Sequence, residues 1–133
     1  MADYTITVKR NSKSGTLSFI SGDISVSTEC WWDPDNVIVA NADGYLCCAT
    51  RMHSAKDSVT KEKRPGIWFG KGIKYNHGTK TGDGAFIHEG TGASWSKGCI
   101  VARRPEVMRI WNAISPQGEF NILVKIVDPS PVG

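Results

Sequence analysis

The residues of this chain best suited to chemistry are a histidine and a cysteine on either side of one glycine-rich segment. Ile87 and His88 end a short apolar run, and Cys99 follows eleven positions after the histidine, at the start of a second apolar run. A free cysteine has a pKa of about 8.5, so its reactive thiolate is scarce at neutral pH until a neighbouring base takes the proton. An adjacent imidazole is such a base. The pattern therefore predicts a thiol nucleophile, Cys99, activated by His88.

Two residues between this pair strengthen the prediction. Gly98 has no side chain, which leaves room for an oxygen to approach the backbone amides beside Cys99, as an oxyanion site requires. Ser96 carries a hydroxyl that can hydrogen-bond to either partner. The opposing interpretation is that Cys99 is a small buried hydrophobe and His88 an ordinary loop histidine, since buried free cysteines are common. The glycines around the cysteine favour catalysis, and His77, the competing base, lacks the strand-to-loop position of His88.

The order Ile87-His88-x-Gly90, followed by Ser96-x-Gly98-Cys99-Ile100, resembles the catalytic signature of the L,D-transpeptidases, the YkuD-type domain. The segment Pro65-Gly66-Ile67-Trp68-Phe69 resembles the Pro-Gly-aromatic strand that precedes the catalytic histidine in that family. The short spacing between histidine and cysteine resembles the compact branch of the family, which includes phage-associated proteins and type VI secretion effectors with transpeptidase and carboxypeptidase activity.

The resemblance implies a reaction with peptidoglycan stem peptides and a role for each residue of the signature. The Cys99 thiolate would attack the carbonyl of the L-centred third residue and expel the terminal D-residue, with His88 as base. Water would resolve the thioester in L,D-carboxypeptidase activity, and an amine would resolve it in transpeptidation or D-amino acid exchange. Ser96 would orient the pair, and amides around Gly98 would stabilise the oxyanion. No metal and no organic cofactor is implied.

Four further residues are candidates for substrate contacts. The family usually has a histidine or a small residue at the position of Lys97, and often an arginine directly after Gly-Cys-Ile, whereas here two residues intervene before Arg103 and Arg104. If an arginine holds a substrate carboxylate in this chain, it is Arg103, Arg104 or an arginine elsewhere. Trp95 lies inside the catalytic loop, where its ring either walls a substrate groove or packs against the protein.

Two other functions stay open on the same residues. A phage- or secretion-associated wall-binding or structural module would keep the fold and catalyse nothing, with Cys99 buried and unreactive. An endopeptidase or amidase would use the same Cys-His pair on a different bond of the cell wall.

Composition, charge and cysteine spacing narrow the class of protein. At 133 residues the chain suits a single domain over residues 1–133, and 40% hydrophobic with 22% charged residues is a globular composition. The net charge of +3 is modest and no nucleic-acid-binding motif is recognised, so nucleic acid is not an expected partner. The cysteines lack zinc-ligand spacing. We expect Cys30, Cys47 and Cys48 to be buried thiols, with a bridge from Cys30 to either of the others as the alternative.

The beginning of the sequence, Met1 to Val8, has neither the basic region nor the long apolar core of a secretory signal. No apolar stretch approaches the roughly 20 residues of a spanning helix. We therefore expect synthesis in the cytoplasm without a signal peptide or membrane span. Because the implied substrate lies outside the cytoplasmic membrane, we expect delivery into the periplasm of a target cell by a secretion system or a phage. The alternative is a resident periplasmic enzyme from which a leader was removed. An immunity protein and a secretion-machine component are the further partners that such delivery implies.

The elements that must position the pair are predicted from alternating apolar side chains, which indicate a sheet. Residues 4–9 and 15–20 are predicted to form a hairpin, and further strands are predicted at 23–28, 37–40, 45–49, 66–70, 85–88 and 120–127. The polar segment 51–64 is expected to be a surface loop or short helical excursion that can cover the site, and 71–84 a glycine-rich loop.

One helix is predicted after the cysteine. Pro105 suits the first helical position, and the following segment 106–114 places its apolar side chains on one face, at Val107, Ile110, Trp111 and Ile114. Together with the resemblance, the pattern predicts a mainly β fold, a single YkuD-like β-sandwich or curved sheet with this one short helix.

Overall fold

The structure is a computed structural model of the chain, and it describes residues 3–11, 14–75, 80–92 and 99–128. These residues form ten strands and one helix, α1 (Arg104–Ala113). The strands in chain order are β1 (Tyr4–Arg10), β2 (Gly15–Ser21), β3 (Ile24–Trp32), β4 (Asn41–Lys56), β5 (Lys63–Trp68), β6 (Ile73–Tyr75), β7 (Lys80–Gly82), β8 (Phe86–Glu89), β9 (Ile100–Ala102) and β10 (Ile122–Val127).

Eight strands close into a barrel in the order β1-β10-β4-β5-β8-β9-β3-β2, with β2 paired back to β1. β6 and β7 form a separate antiparallel pair. Two pairs in the barrel are parallel, β1 with β10 and β8 with β9. The prediction of a mainly β fold with one short helix after Cys99 is confirmed. Of the two predicted forms, a β-sandwich or a curved sheet, the structure has a curved sheet, which closes into a single barrel.

The barrel interior is filled by alternate side chains of the strands. Ile6 and Val8 of β1 and Leu17 and Phe19 of β2 are fully buried, while the residues between them are polar and more exposed. Burying a side chain of this size contributes roughly 1.5–3 kcal/mol to folding. The predicted hairpin of β1 and β2 is confirmed by their antiparallel register.

Helix α1 packs against β3, β5 and β8. Its buried face consists of Val107, Ile110 and Trp111, as the helical periodicity predicts, and Ile114 is buried just beyond its end. The guanidinium group of Arg51 lies 5.1 Å from the centre of the Trp111 ring and covers it from the β4 side. The helix thereby joins the hydrophobic core of the barrel.

Three sequence predictions of local structure are wrong. Residues 37–40 form no strand and contribute an isolated bridge between Ile38 and Tyr75. Residues 51–64 are not one loop, because β4 continues to Lys56 and β5 begins at Lys63, which leaves only residues 57–62 between the strands. The segment 71–84 contains the paired strands β6 and β7. In the last two stretches backbone pairing is made without an alternating apolar face, so the pattern of side chains does not reveal it. In the first, Ile38 is buried in the core without a strand around it.

Helix α1 has ten residues and is too short to cross a bilayer. In the part of the chain that the structure describes, no helix is both long enough and apolar enough to do so.

Candidate active site around His88 and Cys99

His88 and Cys99 are brought together by the parallel pairing of β8 and β9. The register places Ile87 beside Ile100 and His88 beside Val101. Ile87 and Ile100 belong to the barrel core, so strand alternation turns His88 and Val101 to the outer face. Cys99 directly precedes β9, and the same alternation carries its side chain to the outer face. In paired strands such diagonal neighbours are about 7–8 Å apart and within reach of ring side chains.

The imidazole of His88 is held in one tautomer. Its side chain is only 3% exposed, and Nδ1 lies 2.7 Å from the backbone oxygen of Glu89. A carbonyl oxygen can only accept, so Nδ1 carries the proton and Nε2 carries the lone pair. Burial lowers the pKa of His88, and the positive charge of Arg64 acts in the same direction against the Glu89 contacts that raise it. The ring is therefore neutral at neutral pH and can accept a proton at Nε2.

The thiol of Cys99 lies beside the segment that leads into β8. Its Sγ donates a long hydrogen bond of 3.7 Å to the backbone oxygen of Gly84. The side chain is 5% exposed. Both predicted catalytic side chains are therefore nearly covered by protein, on the same face of two neighbouring strands.

Tyr75, at the end of β6, is a further polar group near the thiol. Burial raises its pKa to about 12, and negative charge on Cys99 and Asp83 contributes to the shift. The phenol therefore stays protonated at physiological pH and keeps its hydrogen-bond donor. Its ring packs against the hydrophobic core, which fixes the position of the hydroxyl.

A groove of about 450 Å³ lies over the outer face of β4, β5 and β8. This volume is in the range of small-molecule and peptide sites, and the lining combines aromatic rings with a few polar groups. The groove is lined by Cys48, Thr50, Arg51, Met52, His53, Trp68, Asp83, Gly84, Phe86, Gly118 and Phe120.

The groove walls are fixed by specific contacts. The indole nitrogen of Trp68 donates to the backbone oxygen of Asp83 at 2.7 Å, and the carboxylate of Asp83 accepts from the backbone N–H of Gly72 at 2.8 Å. The rings of Trp68 and Phe120 are 5.7 Å apart. These contacts give the groove a preformed apolar side.

The groove and the candidate nucleophile share one neighbour, Gly84. Gly84, which lines the groove, supplies the carbonyl that the Cys99 thiol contacts. The registers of the ladders align Cys48, Trp68 and Phe86 across β4, β5 and β8. Extending the β8–β9 register by one residue places Cys99 next in this row. Cys99 itself is buried and is not among the residues that line the groove, so Gly84 is the link between the groove and the sulfur.

Two carboxylates and one guanidinium group form a network at the end of β8, here called the Glu89 network (Asp57, Arg104 and Glu89). Arg104 donates from Nε and Nη2 to the two oxygens of Asp57, both at 3.0 Å. Its Nε also lies 3.5 Å from Oε2 of Glu89, and the backbone N–H of Ser58 donates to the other Glu89 oxygen at 3.3 Å. The hydrogen bonds from Arg104 lower the pKa of Asp57 to about 2 despite its burial.

The two arginines predicted as substrate contacts occupy other positions. Arg104 belongs to the Glu89 network, so its guanidinium group binds the carboxylates of Asp57 and Glu89. Arg103 lies with its guanidinium 5.8 Å from the Trp31 ring and 3.9 Å from a Glu29 oxygen. Neither arginine lines the groove.

The remaining predicted site residues, Ser96, Gly98, Trp95 and Lys97, lie outside the described residues, as does His77. Cys30, Cys47 and Cys48 are buried free thiols, as predicted. Among residues 3–11, 14–75, 80–92 and 99–128, no group of three His, Cys, Asp or Glu side chains is arranged to hold a metal ion.

Sequence reasoning missed Tyr75, the Glu89 network and the groove residue His53. The only sequence signal for the network was charge, with Asp57 in a polar segment and Arg104 after the cysteine. The groove is lined by residues at positions 48, 50–53, 68, 83, 84, 86, 118 and 120, which no local sequence pattern connects.

Searches of this chain against protein-family models, curated proteins and solved structures found no match.

Proposed function

We propose that this chain is a cysteine acyl-transfer enzyme of the L,D-transpeptidase type, which acts on peptidoglycan stem peptides with Cys99 as nucleophile and His88 as general base. One observation carries the proposal. The register of β8 and β9 puts the side chains of His88 and Cys99 on the same face of the sheet, and His88 has its Nδ1 hydrogen-bonded to the Glu89 backbone oxygen. The Cys99 thiol contacts Gly84, a residue that lines a preformed groove.

In the proposed reaction His88 takes the thiol proton at Nε2, and the sulfur attacks the carbonyl carbon of the L-centred third residue. The tetrahedral intermediate collapses, the C–N bond to the terminal D-residue breaks, and the imidazolium returns its proton to the leaving amine. The acyl group is then a thioester on Cys99. Water releases it as the shortened stem in L,D-carboxypeptidase activity, and an amine from another stem or a free D-amino acid forms a new amide.

The groove supports a peptide as the acyl donor. The Trp68, Phe86 and Phe120 rings offer apolar surface for the stem, and Arg51 and His53 offer polar contacts at its rim. The phenol of Tyr75 is a donor that can stabilise the sulfur anion or the developing oxyanion, an effect worth about 3–4 kcal/mol for one donor in comparable sites.

The proposed substrate is found outside the cytoplasmic membrane, so the proposal includes delivery to the periplasm of a target cell by a secretion system or a phage. An antibacterial effector of this kind would have an immunity protein in the producing cell and a secretion-machine component as partners.

Mass spectrometry of purified muropeptides tests the reaction. The wild-type protein should remove the terminal D-alanine from tetrapeptide stems or form new cross-links, and Cys99→Ala should do neither. Cys30→Ala is the matched control, because Cys30 is a buried core thiol away from the groove, and it should keep the activity. Wild-type products identical to those of Cys99→Ala would remove the enzyme proposal. Cleavage at another linkage by wild type alone would replace it with an endopeptidase or amidase.

A structural or wall-binding module is the second candidate, and the burial of Cys99 favours it. A thiol that is 5% exposed meets the expectation of an inert core cysteine. Alkylation separates the two candidates. An activated thiol at position 99 reacts with iodoacetamide in the folded protein faster than free cysteine at neutral pH, and His88→Ala slows it. A module would show no reaction until unfolding.

A further inference from the structure

Glu89 contacts two different parts of the site with two different groups. Its backbone oxygen accepts the Nδ1 proton of His88 at 2.7 Å. Its carboxylate, 4% exposed for the whole residue, is held by Arg104 on one side and by the Ser58 backbone N–H on the other. The peptide group that sets the tautomer of His88 is therefore anchored through its own side chain.

The anchor ties three elements together. Asp57 begins the turn between β4 and β5, and its Oδ1 also accepts from the backbone N–H groups of Val59 and Thr60 at 2.7 and 3.1 Å. Arg104 is the first residue of α1, and Glu89 is the last of β8. The bidentate contact between Arg104 and Asp57 holds the guanidinium plane, because a planar fork fixes orientation as well as distance.

We propose that the Glu89 network positions the general base: it fixes the Glu89 peptide group so that His88 keeps its proton on Nδ1 and presents Nε2 to Cys99. This inference rests on the proposed function of Cys99 and His88. Asp57, Arg104 and Glu89 are positioning residues and act through His88.

Charge supports the same role. The Glu89 network combines two carboxylates with one guanidinium group, so its formal charge is negative on the side of His88 where the Glu89 carbonyl lies. That charge favours the imidazolium that forms when the ring takes the thiol proton, whereas Arg64 on β5 disfavours it. Burying the two carboxylates is costly unless their contacts with the partly exposed guanidinium group of Arg104 are complete. An apolar cluster would hold the three elements together without supplying either the orientation or the charge.

Imidazole ¹⁵N NMR of the full chain tests the inference without any substrate. The wild-type ring should show a protonated Nδ1 and an unprotonated Nε2. Arg104→Gln should produce a mixture of the two tautomers, and Arg104→Lys should restore part of the wild-type ratio by keeping the charge while losing the fork. Arg109→Gln is the matched control, since Arg109 lies in the same helix, is 53% exposed and pairs with Glu106 and a backbone oxygen. It should leave the tautomer unchanged.

Kinetics provides the second measurement. Arg104→Gln should lower kcat on muropeptides roughly 10–100-fold, the size of loss seen when a group that orients a metal-bound histidine is removed, with little change in KM. The Cys99 alkylation rate should fall with it. A wild-type tautomer ratio in folded Arg104→Gln would overturn the inference.

Glu89→Gln keeps the test valid if Arg104→Gln does not fold. The amide preserves the size of the side chain and its acceptor for Ser58 while removing the charge that faces Arg104. It should also mix the tautomers, and an unmixed ring in this variant would equally overturn the inference. If the variants mix the tautomers but the wild-type protein yields no muropeptide product, the enzyme proposal alone is refuted. If the wild-type protein is active but the His88 tautomer is unchanged in both variants, the positioning role alone is refuted.

Discussion

Protonation of Asp57 at low pH should lower the free energy of unfolding by a predictable amount. The hydrogen bonds from Arg104 lower the pKa of this carboxyl from 3.8 to about 2 in the folded protein, and only 2% of the residue is exposed. One pKa unit corresponds to about 1.4 kcal/mol of differential stability, so a shift of this size is worth about 2 kcal/mol. Because the folded pKa lies below the unfolded one, this stability is present above about pH 4 and is lost as the pH falls towards 2.

Urea unfolding of the wild type and of Asp57→Asn, each measured from pH 7 to pH 2, isolates the contribution. The wild type should be more stable than Asp57→Asn at pH 7, and the difference should shrink by about 2 kcal/mol between pH 5 and pH 2, since the asparagine side chain of the variant does not titrate. Asp43→Asn is the matched control, because Asp43 is an exposed carboxylate at the start of β4. The pH dependence that Asp57→Asn shows beyond that of Asp43→Asn is the contribution of Asp57.

A difference between wild type and Asp57→Asn that is the same at pH 5 and pH 2 would refute the reasoning. It would mean that Asp57 binds its proton equally well in the folded and unfolded chain, and therefore that Arg104 does not hold the carboxylate in solution. The arrangement argued for the Glu89 network would then fail at its best-defined contact.

Two further predictions concern the groove and the cysteines. Gly66→Ala should lower the free energy of unfolding by about 1–3 kcal/mol and raise KM for muropeptides, since its Cβ would lie 2.9 Å from a ring carbon of Phe86 and 3.1 Å from the Ile87 oxygen. Gly92→Ala is the control, because its Cβ would meet no described atom within 4 Å. It should change the free energy of unfolding in urea by less than about 0.5 kcal/mol. Equal stability of the two variants would show that the Phe86 ring does not occupy that space. The thiols of Cys30 and Cys47 should resist iodoacetamide at pH 8 until the protein unfolds, because burial raises the pKa of Cys30 to about 12 and raises that of Cys47 as well. Modification of either residue in the folded protein, located by peptide mass spectrometry, would contradict their burial.

The strands and the helix that were predicted correctly are those with a local pattern. β1 and β2 alternate apolar and polar side chains across a short connection, so their pairing follows from neighbouring residues. Helix α1 repeats apolar residues at helical spacing and begins with a proline near its first position. In both cases the side chains that enter the core are close in sequence.

The end of β4 and the start of β5 could not be predicted in the same way. Lys56 pairs with Lys63 across the turn, and the ladder shifts register between this pair and Arg51 with Pro65. Backbone hydrogen bonds hold these residues as strands, and their side chains are largely polar because they do not fill the barrel. The position of Asp57 beside Arg104, 47 residues away, depends on this turn and on the closure of the barrel. A local sequence pattern reveals neither the turn nor the closure of the barrel.

The parallel pair of β8 and β9 explains why sequence located the catalytic candidates better than their surroundings. His88 lies on β8 and Cys99 directly precedes β9, and these strands are neighbours both in the chain and in the barrel, so the placement of the two residues follows from one short connection. The groove requires β4 and β5 to lie next to β8, an arrangement set only when all eight strands close. Substrate selection should consequently depend on residues such as Trp68 and Phe120, which are distant in sequence from the pair, while the reactivity of the sulfur should depend on the few residues around His88. Variants at these two sets of positions should therefore separate KM from kcat.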